Sequence, residues 1–440
     1  MSVVVAVDLG ATSARVGRVD LSRQPVDVEV VHRYPHQAVV GSDGSLRWDW
    51  DRIVAEVEVG IRLAVERGPV ASIGIDTWGV DYGLVDGEGR LLSAPHSYRS
   101  HRTDGYGAVV DRVGARRLYE IAGVQLQPFN TIFQLAAHDR EELAAAAHLL
   151  FLPDLLVHHL TGSIGAERTI AGTSGLLDLA TETWSDELVD ACGVPRRLLP
   201  DVVRAGSRAG TWEGVPVHLV GSHDTASAVV AMGARPGPGT AFVASGTWLL
   251  VGREQDTPDL SEEAQSVNLT NELGALGGVR LLKNVGGFWL LNECRRHWGD
   301  LTTESLLDEA AAWTGDAPAV DATDARFFAP ADMAAELRDA AGLAGDAPRG
   351  QIARVAVESM AATTASVLER LGDVKELALF GGGAGASLLV DRLAERTGLP
   401  VRCGPVEATA LGNALVQGIG LGLLSDLTEA RACLDDADAA

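Results

Sequence analysis

The sequence predicts an α/β protein built from two similar halves, and three observations carry that reading. Short β-branched runs alternate with longer Ala- and Leu-rich segments along the 440 residues, the pattern of sheets covered by helices. A chain of this length exceeds one ordinary core, so two domains are expected. A strand–turn–strand device appears early as VAVDLGATSARVGRVD (5–20) and again as AFVASGTWLLVGRE (241–254). Two halves opening on the same device point to duplicated domains facing one another across a central cleft. Taken alone, two ordinary hairpins with Gly turns explain the pair equally well.

Buried strands are expected at VVVAVD (3–8), ASIGID (71–76), VPVHLV (215–220), TAFVAS (240–245) and ELALF (376–380), which are rich in Val, Ile and Phe. Helices are expected at 49–68, 351–372 and 386–398, where apolar residues recur at helical spacing. The Pro/Gly-rich GARPGPG (233–239) is the joint. It divides the chain into 1–234 and 235–440. The acidic, Ala-rich DDADAA (435–440) reads as a disordered tail.

Composition narrows the function. Hydrophobic residues make up 46% and charged residues 22%, a soluble globular profile. The formal net charge is −24, and Lys283 and Lys375 are the only lysines. A nucleic-acid surface needs clustered positive charge, so that class is excluded. An anionic ligand would instead be held by local backbone N–H groups and a metal. Cys192, Cys294, Cys403 and Cys433 form no C-x-x-C pair, so metal and disulfide frameworks fail and reduced thiols in a cytoplasm are expected. No apolar run approaches a membrane span, and the first strand carries no basic leader.

Several stretches carry chemistry. In DLGATSAR (8–15), Gly10 permits a close bend while Thr12 and Ser13 set hydroxyls beside N–H donors, a cradle for phosphate oxygens. Asp8 ends the first strand and suits Mg²⁺ held through water. SGTW (245–248) offers a second set of donors, and no GxxxxGK[ST] loop is present. In FGGGAGAS (380–387), Gly381, Gly383 and Ala386 fit G-x-G-x-x-A, with Arg402 on the next strand. That admits an NADP-dependent oxidoreductase, although the same turn can equally bring backbone against an adenosine. DTWGVDYG (76–83) places Asp76, Trp78, Asp81 and Tyr82 around Gly79, a set suited to hydroxyls and to the C–H face of a sugar. LLKNVGGFWLLNE (281–293) adds Lys283 and Asn284. Finally, Ser222-His223-Asp224-Thr225 stands between an apolar run and an Ala/Val-rich segment. By itself it reads either as a helix cap or as a catalytic carboxylate at a strand's carboxyl end.

These blocks together resemble the FGGY carbohydrate kinases. The resemblance runs in order through AVDLGATSARV, SIGIDTWGVDYGL, QPFNTIFQL, LPDLLVHHLTG, SHDTASAV, SGTWLLVG, LKNVGGFWLL, FGGGAG and GPVEATALGNAL. It implies two actin-like (ribonuclease H-like) domains around a cleft. DTWGVD, SHDTASAV and LKNVGGFWLL resemble the members that act on L-rhamnulose. The implied reaction is ATP-dependent phosphorylation of the 1-hydroxyl, giving L-rhamnulose 1-phosphate for a following aldolase. Other ketoses (L-fuculose, L-xylulose) and a non-catalytic sugar sensor are the alternatives.

The resemblance also assigns residues. Phosphate contacts fall on Ala11, Thr12, Ser13, Ala14 and Arg15, and further nucleotide contacts on Thr247, Asn292 and Gly382. Sugar contacts fall on Gly79, His223, Asp224, Thr225 and Asn284, with Asp224 as the base, and the reading of DTWGVDYG adds Asp81 to them. Ala14 stands where many relatives have Gly, and Asn292 where they have Gln. ATP and Mg²⁺ are the implied cofactors. The implied partners are a sugar and ATP, without nucleic acid or membrane, for a monomer or homodimer. The helix after Asp224 is expected to favour its ionised form.

Overall fold

The computed structural model describes residues 2–41, 44–233, 236–237, 239–299 and 301–434. The expected tail at 435–440 and Ala234, Arg235 and Pro238 of the expected joint lie outside the described residues.

The first sheet grows from the N-terminal apolar runs. β1 (Val3–Leu9) and β2 (Ser13–Asp20) form a hairpin, joined by β3 (Val28–Pro35). Helix α1 (Trp50–Glu66) turns Ile53, Val57, Ile61 and Ala64 inward at helical spacing. β4 (Ser72–Thr77) then pairs parallel to β1. β5 (Arg208–Trp212) and β6 (Val215–His218) complete the order β5-β6-β4-β1-β2-β3. β1 and β4 are continuous apolar runs because the sheet centre is buried on both faces. Helix α2 (Asp224–Val230) follows the polar turn after β6.

The second sheet repeats the opening. β7 (Thr240–Ser245) and β8 (Trp248–Gln255) form an antiparallel pair across a Gly-Thr turn. β9 (Thr270–Leu273), β10 (Val279–Gly286) and helix α3 (Trp289–Trp298) follow. After helix α4 (Arg349–Leu368), β11 (Glu376–Gly381) pairs parallel to β7. Helix α5 (Ser387–Thr397) and β12 (Val401–Cys403) complete the order β9-β10-β8-β7-β11-β12. In both sheets the opening strand has one antiparallel and one parallel neighbour. Each strand and helix expected from the sequence forms within a few residues of its expected bounds.

Helix α6 (Ala408–Gly420) follows β12. By packing, the chain divides into two units, and the division is not a single cut at 234/235. One unit is Met1–Arg235, Glu254–Leu281 and Thr409–Ala440; the other is Pro236–Arg253 and Leu282–Ala408. The reason lies in α6, whose Asn413 and Gln417 are fully buried in the first unit. Gln417 Nε2–H donates to Val5 O at 3.0 Å and to Asn413 Oδ1 at 2.7 Å.

Candidate active site

In the first unit, the parallel register of β1 and β4 sets Asp8 beside Asp76 at the carboxyl ends of two apolar strands. Ligands meet open α/β sheets at these ends. Asp8 is 1% exposed, and Arg15, its register partner on β2, donates Nε–H to Asp8 Oδ2 at 2.7 Å. Thus part of the Arg15 guanidinium is engaged with Asp8. In the hairpin turn Gly10 N–H donates to Ser13 O at 3.1 Å, leaving Thr12 exposed and Ala11 and Ser13 half-buried. Ala14 is a strand residue outside the left-handed region, so its backbone there does not require glycine.

His36, missed by the sequence reading, braces this turn. Its Nε2 donates to Gly10 O at 2.8 Å and its N–H to Thr12 O at 3.2 Å. Its ring stacks on Trp78 with centroids 5.4 Å apart and meets Trp48 edge-on at 5.6 Å. Burial lowers its pKa to about 4, so the ring is neutral and its second nitrogen carries no proton.

The turn of 76–83 carries strain. Val80, β-branched, has φ 68°, a backbone that costs on the order of 1–3 kcal/mol unless the surroundings hold it. They do: Thr173 Oγ1 accepts from Val80 N–H at 3.1 Å, and Thr131 Oγ1–H donates to Val80 O at 2.7 Å. Gly79 precedes it, and a Cβ there would press on Thr173 at 3.1 Å.

Asp81 departs from its expected place as a sugar contact. It is 0% exposed. Its carboxylate accepts from Trp48 Nε1–H (2.7 Å), Trp78 Nε1–H (3.0 Å), Gln134 Nε2–H (3.0 Å) and Tyr98 N–H (3.2 Å). Burial raises its pKa to about 6 against these four donors. The side chain therefore organises an aromatic wall instead of presenting an acceptor to solvent, because two indole N–H groups need a buried partner.

At the polar turn after β6, His223 occupies the N-cap of α2 and makes no side-chain cap bond. Asp224 is the first helical residue, so the cap reading fails. Its Oδ1 accepts from Thr225 N–H at 2.6 Å and Thr225 Oγ1–H at 3.1 Å, and the side chain keeps 26% exposure among buried neighbours. The turn is held from behind by buried Glu167. Its Oε2 accepts from Ser222 N–H at 3.1 Å and from the Thr169 hydroxyl, whose oxygen accepts from His223 N–H at 3.1 Å. Burial pushes the Asp224 pKa up, Asp8 adds to the rise, and His223 opposes it. That direction is opposite to what a helix end alone produces: desolvation and a like charge outweigh a two-turn helix. Asp76 rises further, through burial and then the Asp8 and Asp224 charges.

His223 also meets two residues that sequence reasoning missed. Glu272 on β9 and Arg280 on β10 are 7% and 1% exposed and form an ion pair at 3.2 Å. Burial works against the Glu272 charge, yet His223 and Arg280 hold its pKa below the ordinary value.

In the second unit, the turns after β7 and β11 are stapled. Ser245 Oγ–H donates to Phe380 O at 2.9 Å and its oxygen accepts from Gly383 N–H at 2.7 Å. Gly381 has φ 82°, and a Cβ there would lie 2.5 Å from Ser245 O. Thr247 and exposed Gly382 follow these two strand ends. Helix α3 starts against the first turn, since Trp289 N–H donates to Thr247 O at 3.0 Å. Asn292, one turn later, accepts from Thr303 Oγ1–H at 3.0 Å, so the shorter amide is engaged within its own unit. Asn284 is half-buried on β10. The expected residues thus fall into two sets: Asp8, Ala11–Arg15, Gly79, Asp81 and His223–Thr225 in one unit, Thr247, Asn284, Asn292 and Gly382 in the other.

Among the described residues no group of three or more His, Cys, Asp or Glu could hold a metal ion. Mg²⁺ does not need such a cage, since it takes one or two carboxylates and substrate phosphates. The Asp8 charge raises the pKa of both Asp76 and Asp224, and Asp76 Oδ1 is buried without a hydrogen-bond partner, an acidic edge that fits a hard cation.

Residues 3–232 match the model of the FGGY family of carbohydrate kinases, N-terminal domain, and residues 241–421 match its C-terminal domain. The chain belongs to the FGGY carbohydrate kinases. Among the relatives of this FGGY kinase, the rhamnulokinase of Pectobacterium carotovorum subsp. carotovorum is 38% identical over 97% of this chain and 90% of its own. The rhamnulokinase of Bacteroides thetaiotaomicron is 37% identical over 97% and 92%. The fold matches ligand-bound xylulose kinase from Lactobacillus acidophilus at TM-score 0.79, 17% identity, covering 98% and 91% of the two chains. Plasmodium falciparum glycerol kinase with ADP matches at TM-score 0.75, 16% identity, covering 100% and 93%. The FGGY kinase is therefore an ATP-dependent sugar kinase of the two-domain, actin-like fold, and the dehydrogenase reading of Gly381–Ala386 falls. No helix among its described residues is long and apolar enough to cross a membrane.

Proposed function

We propose that this kinase phosphorylates L-rhamnulose on its 1-hydroxyl, with Asp224 as the base. The observation that carries the proposal is the state of Asp224: the carboxylate is part-open among buried neighbours and its pKa is raised. A carboxylate with a raised pKa is a better proton acceptor. The sugar choice rests on rhamnulokinases of 36–38% identity over nearly the whole chain.

Asp224 orients the hydroxyl toward the γ-phosphate and takes its proton. Phosphoryl transfer passes through a loose transition state, so the proton leaves late and a weak base suffices. Gly79, His223, Thr225 and Asn284 hold the ketose, and Asp81 acts behind them through Trp78. Backbone N–H groups and hydroxyls of Ala11–Ser13 bind phosphate, Ala14 and Arg15 fix that turn, and Thr247, Asn292 and Gly382 take the nucleotide. Asp8 would hold Mg²⁺ through water, and the bound ion would supply charge neutralisation on the phosphates. L-rhamnulose 1-phosphate is the product, the step expected in L-rhamnose breakdown.

The test is ADP release with L-rhamnulose, L-fuculose and L-xylulose, with and without Mg²⁺, for the parent and Asp224→Asn. The proposal expects preference for L-rhamnulose and a loss in kcat on the order of a hundredfold or more in the variant. A folded D224N within tenfold of the parent removes the base, another preferred ketose removes the substrate, and silence with every sugar favours a sensor.

A further inference from the structure

Glu167 stands at the start of a one-turn helix, Arg168–Ala171, and caps it. Its Oε2 accepts from Thr169 N–H at 2.9 Å and from Ile170 N–H at 3.4 Å. Helix starts favour Ser, Thr, Asp and Asn, which reach those N–H groups with a shorter side chain, over glutamate. The added methylene has a second use. The same Oε2 accepts from Ser222 N–H, 3.1 Å away and 55 positions on, and from the Thr169 hydroxyl. Thr169 Oγ1 in turn accepts from His223 N–H at 3.1 Å. The two peptide N–H groups just before Asp224 are thus tied to one carboxylate, one directly and one through a hydroxyl.

This carboxyl is costly to hold. It is fully buried, its Oε1 has no hydrogen-bond partner, and burial pushes its pKa up to about 7. Among the described residues its donors are backbone N–H groups and one hydroxyl, with no Lys or Arg side chain. Buried Asp154 fixes it from behind, accepting from Glu167 N–H at 3.1 Å. A buried carboxyl with one oxygen unpaired is a poor source of stability, and a shorter cap would serve the helix. The same stretch also reaches a second turn. Thr173 accepts from Val80 N–H at 3.1 Å and donates to Ile170 O at 2.8 Å. Residues 167–173 therefore hold both the turn that carries Asp224 and the turn that carries Gly79, which Thr77 N–H joins directly by donating to Ser222 O at 2.9 Å.

We infer that Glu167 is a positioning residue for phosphoryl transfer: acting with Thr169, it fixes the Ser222 and His223 backbone so that the Asp224 carboxylate meets the sugar hydroxyl. The inference rests on the reading of Asp224 as the base. Glu167, buried behind the turn, takes no proton from the sugar. It supplies an acceptor at a fixed place, and misplacing a reacting group by about 1 Å costs on the order of a hundredfold in rate.

Three variants separate the acceptor from the cap. Glu167→Gln keeps an oxygen in the place of Oε2 and sets its NH2 where Oε1 has no partner. Glu167→Asp keeps the charge and is the better cap, but is one methylene too short to reach Ser222. Thr169→Val keeps the shape and removes the hydroxyl that receives His223 N–H. All three are expected to fold, as read by thermal melts. Glu167→Gln is expected to retain kcat within about threefold of the parent. Glu167→Asp and Thr169→Val are expected to lose about ten- to hundredfold in kcat, with KM for ATP changed by less than about threefold. A folded E167D or T169V with kcat within about threefold of the parent overturns the inference, and so does E167Q as impaired as E167D. Where a variant does not fold, hydrogen exchange of the parent decides: slow exchange at the Ser222 and His223 amides supports the clamp, and fast exchange overturns it. Failure of the base reading is read separately. Undiminished turnover in Asp224→Asn removes the base, whereas an inactive D224N beside a fully active E167D removes only the role of Glu167.

Discussion

Asp81 and Asp224 sit on the same unit and are both pushed toward the protonated form by burial, yet their surroundings give them different work. Four donors converge on Asp81, while the hydrogen bonds described for Asp224 come from its neighbour Thr225. Asp81→Asn can keep an oxygen toward the two indoles and Tyr98 N–H, which share Oδ2, but then sets its NH2 against Gln134 Nε2–H; the expected cost is about 1–3 kcal/mol, read by denaturant unfolding, with KM for the sugar rising more than KM for ATP. His36 supplies the pH dependence. Its folded pKa of about 4 lies below the ordinary 6.5, so the unfolded chain binds a proton the folded chain refuses. Stability is therefore complete above pH 6.5 and falls as pH drops toward 4, by about 3 kcal/mol at most from this residue. His36→Asn lacks that slope, so its stability difference from the parent narrows on acidification, measured by unfolding at each pH.

At the level of elements, α2 owes its position to a glycine on α6. A Cβ on Gly412 would lie 1.7 Å from the Ser227 carbonyl oxygen, a clash with backbone that no rotamer change relieves. Gly412→Ala is expected to destabilise by roughly 1–3 kcal/mol and to lower kcat by moving α2 and Asp224, checked by thermal melts alongside turnover. Much of this layer was legible in the sequence: the five strand runs and three helices carry their own periodicity. Asp224 was legible as one of two readings, and the structure removed the cap by placing His223 there. What could not be read were partners brought in by distant pairings. Glu272 and Arg280 sit on strands with no special motif, and His36 lies on an ordinary strand end. Asp81 was misplaced because nothing local tells that Trp48, Tyr98 and Gln134 will turn their donors toward it.

For the molecule as a whole, the first unit is discontinuous in sequence, and its last contribution closes the carboxylate edge. Asn413 Nδ2–H donates to Asp76 Oδ2 at 2.6 Å across 337 positions. The sheet makes room for this: a Cβ on Gly74 would meet Asn413 and Gln417 within 2.6 Å. Ending the chain after residue 408 is expected to abolish soluble, cooperatively folding protein, scored by expression and circular dichroism. Asn413→Ala is the milder form, with an expected loss of about 1–3 kcal/mol. That same discontinuity imposes an order on biosynthesis. At ribosomal rates the amide that completes Asp76 emerges on the order of tens of seconds after β4. A nascent chain stalled between Gln255 and Asn413 holds both hairpins and their turns but lacks the amide that completes Asp76. A circular permutant that translates the α6 segment ahead of β1 would shorten that wait and populate the compact first unit earlier on the ribosome.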